Sequence, residues 1–345
     1  MKKVTMADVA RAAGVSKNAV SLALRGSSEI PDATRARIEK TAEKLGYRRS
    51  PAVGRVMSML RGGATAGSAG TIALFNVNQD PKAFRDHPTI PNYVSGCTAR
   101  AAALGYATDS FWLHEPALSG ARWREILFSR SVTGVIFIGL MRENRLPDFI
   151  KPVIEAFPCV VTGVRTRQPA LSFACTDHHI VALRAFERAL SLGYKRPGLV
   201  LDREIDELVE RRFSAGYMTG QAHIPPEDRL RPFTEVAQAR ANPELFRRWL
   251  ETEKPDVIFT LYNVVRHWLE DLGVSVPGQM GLIQLEWRRS RPDWAGMDQH
   301  NDFVGAVAVD MISGMMLGGE KGVPPFPRAT LVGPTWVDGK TVRAV

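Results

Sequence analysis

Six short apolar runs punctuate the chain: TIALFNV (71–77), GVIFIGL (134–140), CVVTGV (159–164), GLVL (198–201), DVIFTL (256–261) and MGLIQL (280–285). Between them lie stretches with helical periodicity, such as NYVSGCTARAAALGY and IVALRAFERALSLGY. Continuous apolar runs of this length suit strands buried on both faces, and strands alternating with helices require parallel sheets covered on both sides. The span has room for two such lobes. Both quoted helices end in Leu-Gly-Tyr just before the next strand, which suggests one building plan used twice. The hydrophobic share of 45% and charged share of 23% are those of a globular protein and exclude a disordered or fibrous chain. At 345 residues, one large core plus an accessory module is expected.

Charge identifies the accessory module. The whole chain has 45 Lys and Arg against 36 Asp and Glu, a formal net charge of +9, and residues 1–61 alone hold 13 against 5. Nearly all of the excess therefore lies in the first sixth of the chain, which points to a polyanionic partner for an N-terminal module.

That module reads as three short helices. Thr5 and Asp8 have the spacing of a capping box ahead of a helix in which Met6, Val9, Ala10 and Ala13 face inward, and Gly14 ends it. Ser16 caps a second helix from Lys17 to about Leu24, with Ala19, Val20, Ala23 and Leu24 inward. A third starts at Asp32, directs Ala33, Ile38, Thr41, Ala42 and Leu45 inward, and ends at Gly46. Two short helices joined through Gly14-Val15-Ser16, with a third across them, make a helix-turn-helix. The outward residues of the second helix, Lys17, Asn18, Ser21 and Leu22, are placed to read base edges, Lys17 on guanine acceptors and Asn18 on adenine. Thr5, Ser16, Arg25, Thr34 and Tyr47 are the candidates for phosphate contacts, which position without reading sequence. The alternative is a small solvated helical bundle.

Several motifs are set aside. Cys97, Cys159 and Cys175 are odd in number, widely spaced and without a C-x-x-C, so neither a disulfide framework nor a zinc site is expected. The pair His178-His179 points about 100° apart on a helix and lacks a completing ligand, so it reads as a surface or capping pair and no metal or cofactor is expected. GGATAGSAG (62–70) precedes a strand instead of following one, and so reads as a connector, not a phosphate loop. Asp8 and Arg11 interrupt any signal-like apolar stretch, and nothing approaches the ~18 consecutive apolar residues of a membrane helix, so a cytoplasmic protein without membrane association is expected.

The stretch VTMADVARAAGVSKNAVSLALRG…IPDATRARIEKTAEKLGYRRSP closely resembles the DNA-binding headpiece of the LacI/GalR family, without a gap over about 60 residues. Weaker echoes follow in order: the Gly96–Tyr106 helix, Asp177, LSLGYKRPGLV, EKPDVIF, VPGQMGLI and MDQHNDFVGAVAVD. The resemblance implies a small all-α helix-turn-helix headpiece (1–49), a hinge helix (50–61), a linker (62–70) and an α/β core of two Rossmann-like, periplasmic-binding-protein-like lobes (71–345), with three crossovers and a ligand cleft between the lobes. It further implies a homodimeric transcriptional regulator, a repressor, on a palindromic double-stranded operator, with a carbohydrate-like effector in the cleft. In the hinge, Val56 with Met57 beside it occupies the place of the family's minor-groove wedge leucine, the alternative being a packed interdomain helix.

The pocket departs from the family pattern. The Arg three residues before a Gly-aromatic pair is replaced by Phe213, with Arg212 one residue early; an Asn-Asp helix start is reduced to Tyr262-Asn263; and a Gly-aromatic-Asp-Asp segment becomes Gly281-Leu282-Ile283-Gln284-Leu285-Glu286. Asp177, Arg212, Asn263 and Glu286 are the effector candidates, with Asp177 equally suited to cap a helix and Glu286 equally suited to be a solvated loop acid. Phe111-Trp112, Trp268, Trp287 and Trp294 are candidates for stacking on a sugar, or are core. Nothing in the spacing requires catalysis; the alternative from another class is a substrate-transforming core fused to a DNA-binding domain.

Overall fold

The computed structural model describes residues 4–24, 30–47 and 70–343. The chain divides into two compact units, residues 1–65 and 66–345.

In the first unit, helices Met6–Ala13, Lys17–Ala23 and Asp32–Lys44 form where the local signals place them. The Thr5 amide donates to Asp8 Oδ2 at 2.9 Å and the Thr5 hydroxyl donates to the same oxygen at 2.6 Å, closing the first helix's capping box. Gly14 ends that helix with φ 66°, a left-handed conformation, and Val15 N–H reaches back to Ala10 O at 3.0 Å. Ser16 Oγ accepts from Ala19 N–H at 3.1 Å and starts the second helix. Val9, Ala10, Ala13, Val20, Ala23, Ile38 and Ala42 make the small core. Two expected inward residues are corrected: Ala33 is exposed and Leu45 is 36% exposed. The third helix buries only the i, i+4 pair Ile38 and Ala42, and Tyr47 packs beside that core from beyond the helix end.

The second unit holds two sheets. The strands are β1 Thr71–Asn76, β2 Ala107–Trp112, β3 Val132–Ile138, β4 Cys159–Thr162, β5 Ser172–Thr176, β6 Pro197–Val200, β7 Val257–Thr260, β8 Gly281–Gln284, β9 Ala295–Asp298, β10 Ala329–Val332 and β11 Thr335–Val337. The first sheet has the order β10-β5-β4-β3-β1-β2, all parallel; the second runs β11-β9-β8-β7-β6, parallel except for β11 on β9. All six apolar runs are strands. The chain passes between sheets three times, from β5 to β6, from β9 to β10 and from β10 to β11. Helix Asn301–Gly318, in the second passage, lies on the first sheet and on helix Ile90–Ala103. Glycines permit that approach: a Cβ on Gly96 would overlap the Asp302 carbonyl, and one on Gly305 would overlap that of Tyr93. Because the strands within each sheet run parallel apart from β11, the loops at their carboxyl ends gather on one side, where open α/β sheets hold ligands.

Candidate functional site

Two surfaces hold the residues singled out from the sequence. The first is the outward face of helix Lys17–Ala23. A helix turns about 100° per residue, which puts Lys17, Asn18, Ser21 and Leu22 within an arc of about 140° and Val20 and Ala23 on the other side. Val20 and Ala23 are fully buried, Lys17 and Asn18 are exposed, and Ser21 and Leu22 are half-buried. Thr5 and Ser16 are exposed at the two helix starts. Because the Ser16 oxygen already accepts from a backbone amide, its hydroxyl proton is what it has to offer a phosphate. Thr34 is half-buried, and Tyr47 lies against the headpiece core, so only part of its ring is accessible. Arg25, Val56 and Met57 lie outside the described residues.

The second surface is a cleft of about 420 Å³ between the two sheets. Its walls come from the carboxyl ends of strands: Leu140 and Met141 after β3, Thr162 to Val164 at β4, Leu261 to Val264 after β7, Glu286 and Arg288 after β8, and Gln299 after β9. His87, Thr89 and Tyr93 close it from the first lobe, Phe213 and Arg240 from the second.

Of the four sequence candidates, Asn263 and Glu286 line this cleft. Asp177 does not; it caps helix His178–Ser191, its Oδ1 accepting from Ile180 N–H at 3.3 Å, so the capping alternative describes it. Arg212 stands in a narrow neck that shares Gly163, Val164, His178, Leu208 and Val209 with the cleft. Glu286 is no solvated loop acid. Its side chain is 10% exposed, and its Oε1 accepts from Thr89 Oγ1 at 2.8 Å and Asn301 Nδ2 at 2.9 Å, while Arg288 Nη2 donates to Oε2 at 2.7 Å. Thr89 belongs to the first lobe and Glu286 to the second, so this carboxylate ties the lobes together. A second tie runs from Asn144 Nδ2 to Leu208 O at 2.7 Å, beside Glu210, which faces Arg165 at 3.4 Å and Arg167 at 3.5 Å.

The tryptophans and Phe111 are corrected as sugar platforms: none of Phe111, Trp112, Trp268, Trp287 and Trp294 lines the cleft. Trp268 and Trp294 are packed in the second lobe's outer core, and Phe111 stacks on Phe75 at 5.3 Å. The aromatic walls are Tyr93, Phe213 and Tyr262 instead. The reading of His178 as a surface or capping residue is also corrected: it is 6% exposed, lies at the cleft, and meets the Phe213 ring edge-on at 4.8 Å. Burial, helped by the Arg212 charge, pushes its imidazole down to about 3, so it is neutral. His87 is likewise held below its ordinary range, chiefly by burial; its Nδ1 accepts from Thr89 N–H at 3.1 Å and Ile90 N–H at 3.3 Å, which needs the neutral ring. Tyr93 and Tyr262 are raised, both mainly by burial, and stay protonated. All three cysteines are buried as free thiols, and no cluster of potential metal ligands occurs among the described residues. His87, Tyr93, Thr162, His178, Arg240 and Arg288 were not singled out for the pocket from sequence; all but Arg240, which follows the end of helix Val236–Ala239, lie near a strand's carboxyl end or a helix start, a signal visible only once strand ends are fixed.

Residues 5–50 match the family model for bacterial regulatory proteins, lacI family, and residues 186–342 match that of a periplasmic binding protein-like domain. The HTH-type transcriptional regulator MalR of Streptococcus pneumoniae is 24% identical over 56% of this chain and 55% of its own length, so the chain spans about half of that relative. Catabolite control protein A of Staphylococcus xylosus is 23% identical over 91% of this chain and 92% of its own length. The fold is similar to that of the lac repressor dimer bound to operator and the anti-inducer ONPF, with a TM-score of 0.57 at 19% identity, covering 99% of this chain and 100% of that one. No helix among the described residues is long and apolar enough to cross a membrane. The chain thus carries a lacI-family helix-turn-helix domain at its N-terminus and a periplasmic binding protein-like domain toward its C-terminus.

Proposed function

We propose that the protein is a sequence-specific DNA-binding transcriptional regulator, a repressor, which binds a palindromic operator as a cytoplasmic homodimer and whose DNA affinity is modulated by a small molecule in the interlobe cleft. Residues 1–49 are the headpiece, 50–61 the hinge, 62–70 the linker and 71–345 the sensing and dimerisation core. Lys17, Asn18, Ser21 and Leu22 read bases; Thr5, Ser16, Arg25, Thr34 and Tyr47 contact phosphates; Val56 and Met57 wedge the minor groove. The effector is carbohydrate-like in size and polarity.

The observation that carries the reading is the exposed polar face of helix Lys17–Ala23 on a module holding nearly all of the chain's excess positive charge. The relatives are named as transcriptional regulators, and a neighbour of the same fold binds operator as a dimer. Two-fold protein symmetry demands matching symmetry in the DNA.

The test is selection of binding sites from random duplex DNA, followed by footprinting. The wild type is expected to enrich a palindrome. Asn18→Ala should relax preference at one base pair of each half-site, at a cost of about 1–3 kcal/mol against the selected sequence. No enriched sequence for the wild type overturns the function, and unchanged preference for Asn18→Ala overturns the assignment of the reading helix. Turnover of a cleft-bound compound would support the enzymatic alternative.

A further inference from the structure

We infer that the molecule this cleft senses is an anion, a small polar compound whose carboxylate or phosphate is received by Arg240, with Arg288 and Arg212 adding to the field. The inference rests on the regulator reading and names the ligand class of that same site.

The charged groups at the cleft are unequal in sign once their partners are counted. The only carboxylate in its lining is Glu286, which is already engaged by Thr89, Asn301 and Arg288. A neutral polyol carries one donor and two acceptor lone pairs on every hydroxyl and is well held by a carboxylate with lone pairs to spare, whereas three of the roughly four lone-pair sites of Glu286 are already taken. The cations are less fully engaged. Among the described residues Arg240 forms no ion pair; its guanidinium lies 5.8 Å from the centre of the Tyr262 ring, on the cleft wall. Arg212 likewise has no carboxylate partner among the described residues, and its charge is felt at His178 in the adjoining neck. Arg288 spends one end on Glu286, while its Nε is buried without a hydrogen-bond partner. Both histidines at the cleft are held neutral, so neither offsets nor adds to this charge.

A buried hydroxyl points the same way. Thr162 is 1% exposed, lines the cleft, and its Oγ1 has no hydrogen-bond partner. A buried polar atom without a partner is costly, and a ligand oxygen accepting from it would remove that cost. The recess thus presents an arginine fork and a buried hydroxyl donor that lack partners among the described residues, which suits a group that only accepts. A carboxylate or phosphate meets an arginine fork with two parallel hydrogen bonds, whereas a neutral ligand closing over Arg240 would strip it of water and leave it unpaired.

The test uses the full-length protein at constant ionic strength. Thermal unfolding is followed during titration with inorganic phosphate, and with the matched pairs glucose and glucose 6-phosphate, and glucose and gluconate. The expected result is saturable stabilisation by phosphate, and stabilisation by the anionic member of each pair at a concentration at least tenfold below that of glucose. Arg240→Gln should raise the anion midpoints at least tenfold, while Arg122→Gln, at an exposed position of the first lobe, should not move them. Glucose stabilising as well as its anionic partners, anions giving no saturable shift, or Arg240→Gln titrating like the wild type would each overturn the inference. Sequence-specific DNA binding is measured in parallel by fluorescence anisotropy. If it is retained while the anions fail, the ligand class alone is wrong; if it is absent, the regulator reading falls on its own account.

Discussion

The Glu286 tie offers the sharpest perturbation, because one carboxylate serves three donors, one of them Thr89 across the lobe boundary. Truncation by Glu286→Ala removes the hydrogen bonds from Thr89 at 2.8 Å and Asn301 at 2.9 Å and leaves Arg288 without its carboxylate, only the Thr89 hydroxyl remaining at 3.4 Å. Breaking a buried ion pair from one side costs about 3–5 kcal/mol, since the surviving charge is left uncompensated. Arg288 retains 27% exposure, so water recovers part of that cost and the lower end, about 3 kcal/mol, applies. At roughly 2–4 °C per kcal/mol for a domain of this class, the core should melt roughly 6–12 °C earlier. Glu286→Gln keeps an acceptor for Thr89 and Asn301 but loses the charge, and should fall between the wild type and the alanine variant. The control is Glu125→Ala, which breaks the pair with Arg122 at 2.9 Å on a helix where both side chains are more than 60% exposed. Such pairs contribute about 0–1 kcal/mol. Differential scanning calorimetry of the three variants decides: if Glu286→Ala melts no earlier than Glu125→Ala, the carboxylate does not hold the lobes and the reasoning fails.

Two further perturbations test the core. His178 has a folded value of about 3 against its ordinary 6.5, so the native state refuses a proton that the unfolded chain takes below pH 6.5. Its neutral burial is therefore fully tolerated above pH 6.5, and stability is lost as pH falls from 6.5 toward 3, at up to about 1.4 kcal/mol per pH unit and about 2 kcal/mol by pH 5. His178→Asn should flatten the dependence of the urea unfolding free energy between pH 7 and 5 by that amount; parallel curves for variant and wild type would refute it. On helix Asn301–Gly318 and its neighbour, glycine-to-alanine changes should have opposite signs. Gly96→Ala drives a Cβ into the Asp302 carbonyl and should cost about 3 kcal/mol or more, while Gly314→Ala meets nothing within 4 Å and should stabilise by about 0.5–1 kcal/mol. Equal shifts in urea midpoint would show that the close helix contact is not what these glycines serve.

What the sequence made legible follows from how local each signal is. The capping residues Thr5, Gly14 and Ser16 act within four residues of themselves, so the headpiece helices could be placed from the chain alone. The strands read in advance are those whose apolar runs are unbroken. Strand β2, ATDSFW, lies at the sheet edge and is nowhere fully buried, while β5, SFACT, is wholly buried but built from small and polar residues, so neither gives an apolar run. The pocket was the least legible part. Asp177 is an effector candidate only through the family resemblance, with helix capping as the equal alternative, and its carboxylate accepts from the Ile180 amide. Arg212 was named for its sequence distance from Gly216-Tyr217, but Phe213 takes the inward slot and Arg212 is left in the neck. Arg240 carried no local signal, because its place in the cleft is set by the Tyr262 ring, distant in sequence. Secondary structure is decided by neighbours in the chain, whereas the cleft is decided by which strand ends meet.

The contacts spanning that cleft are unequal, and their inequality bears on what a ligand can do there. The Glu286 side is buried and charge-assisted. The Glu210 side has one hydrogen bond, Asn144 to the Leu208 carbonyl, and ion pairs at 3.4 and 3.5 Å to Arg165 and Arg167, which are 44% and 63% exposed; exposed pairs contribute about 0–1 kcal/mol. Glu210 and Arg211 are also both left-handed, at φ 57° and 58°, a conformation that costs a non-glycine residue of order 1 kcal/mol or more. Besides the Asn144–Leu208 hydrogen bond, this edge therefore has only exposed pairs to hold it, so it contributes less to closure than the Glu286 edge. A ligand changes the lobe equilibrium only by the difference in its affinity for the two arrangements. With Glu286 already holding one edge, the interactions that can make such a difference are those with groups that have no ion-pair or hydrogen-bond partner among the described residues, the Arg240 guanidinium and Thr162 hydroxyl in the cleft and the Arg212 guanidinium in the neck.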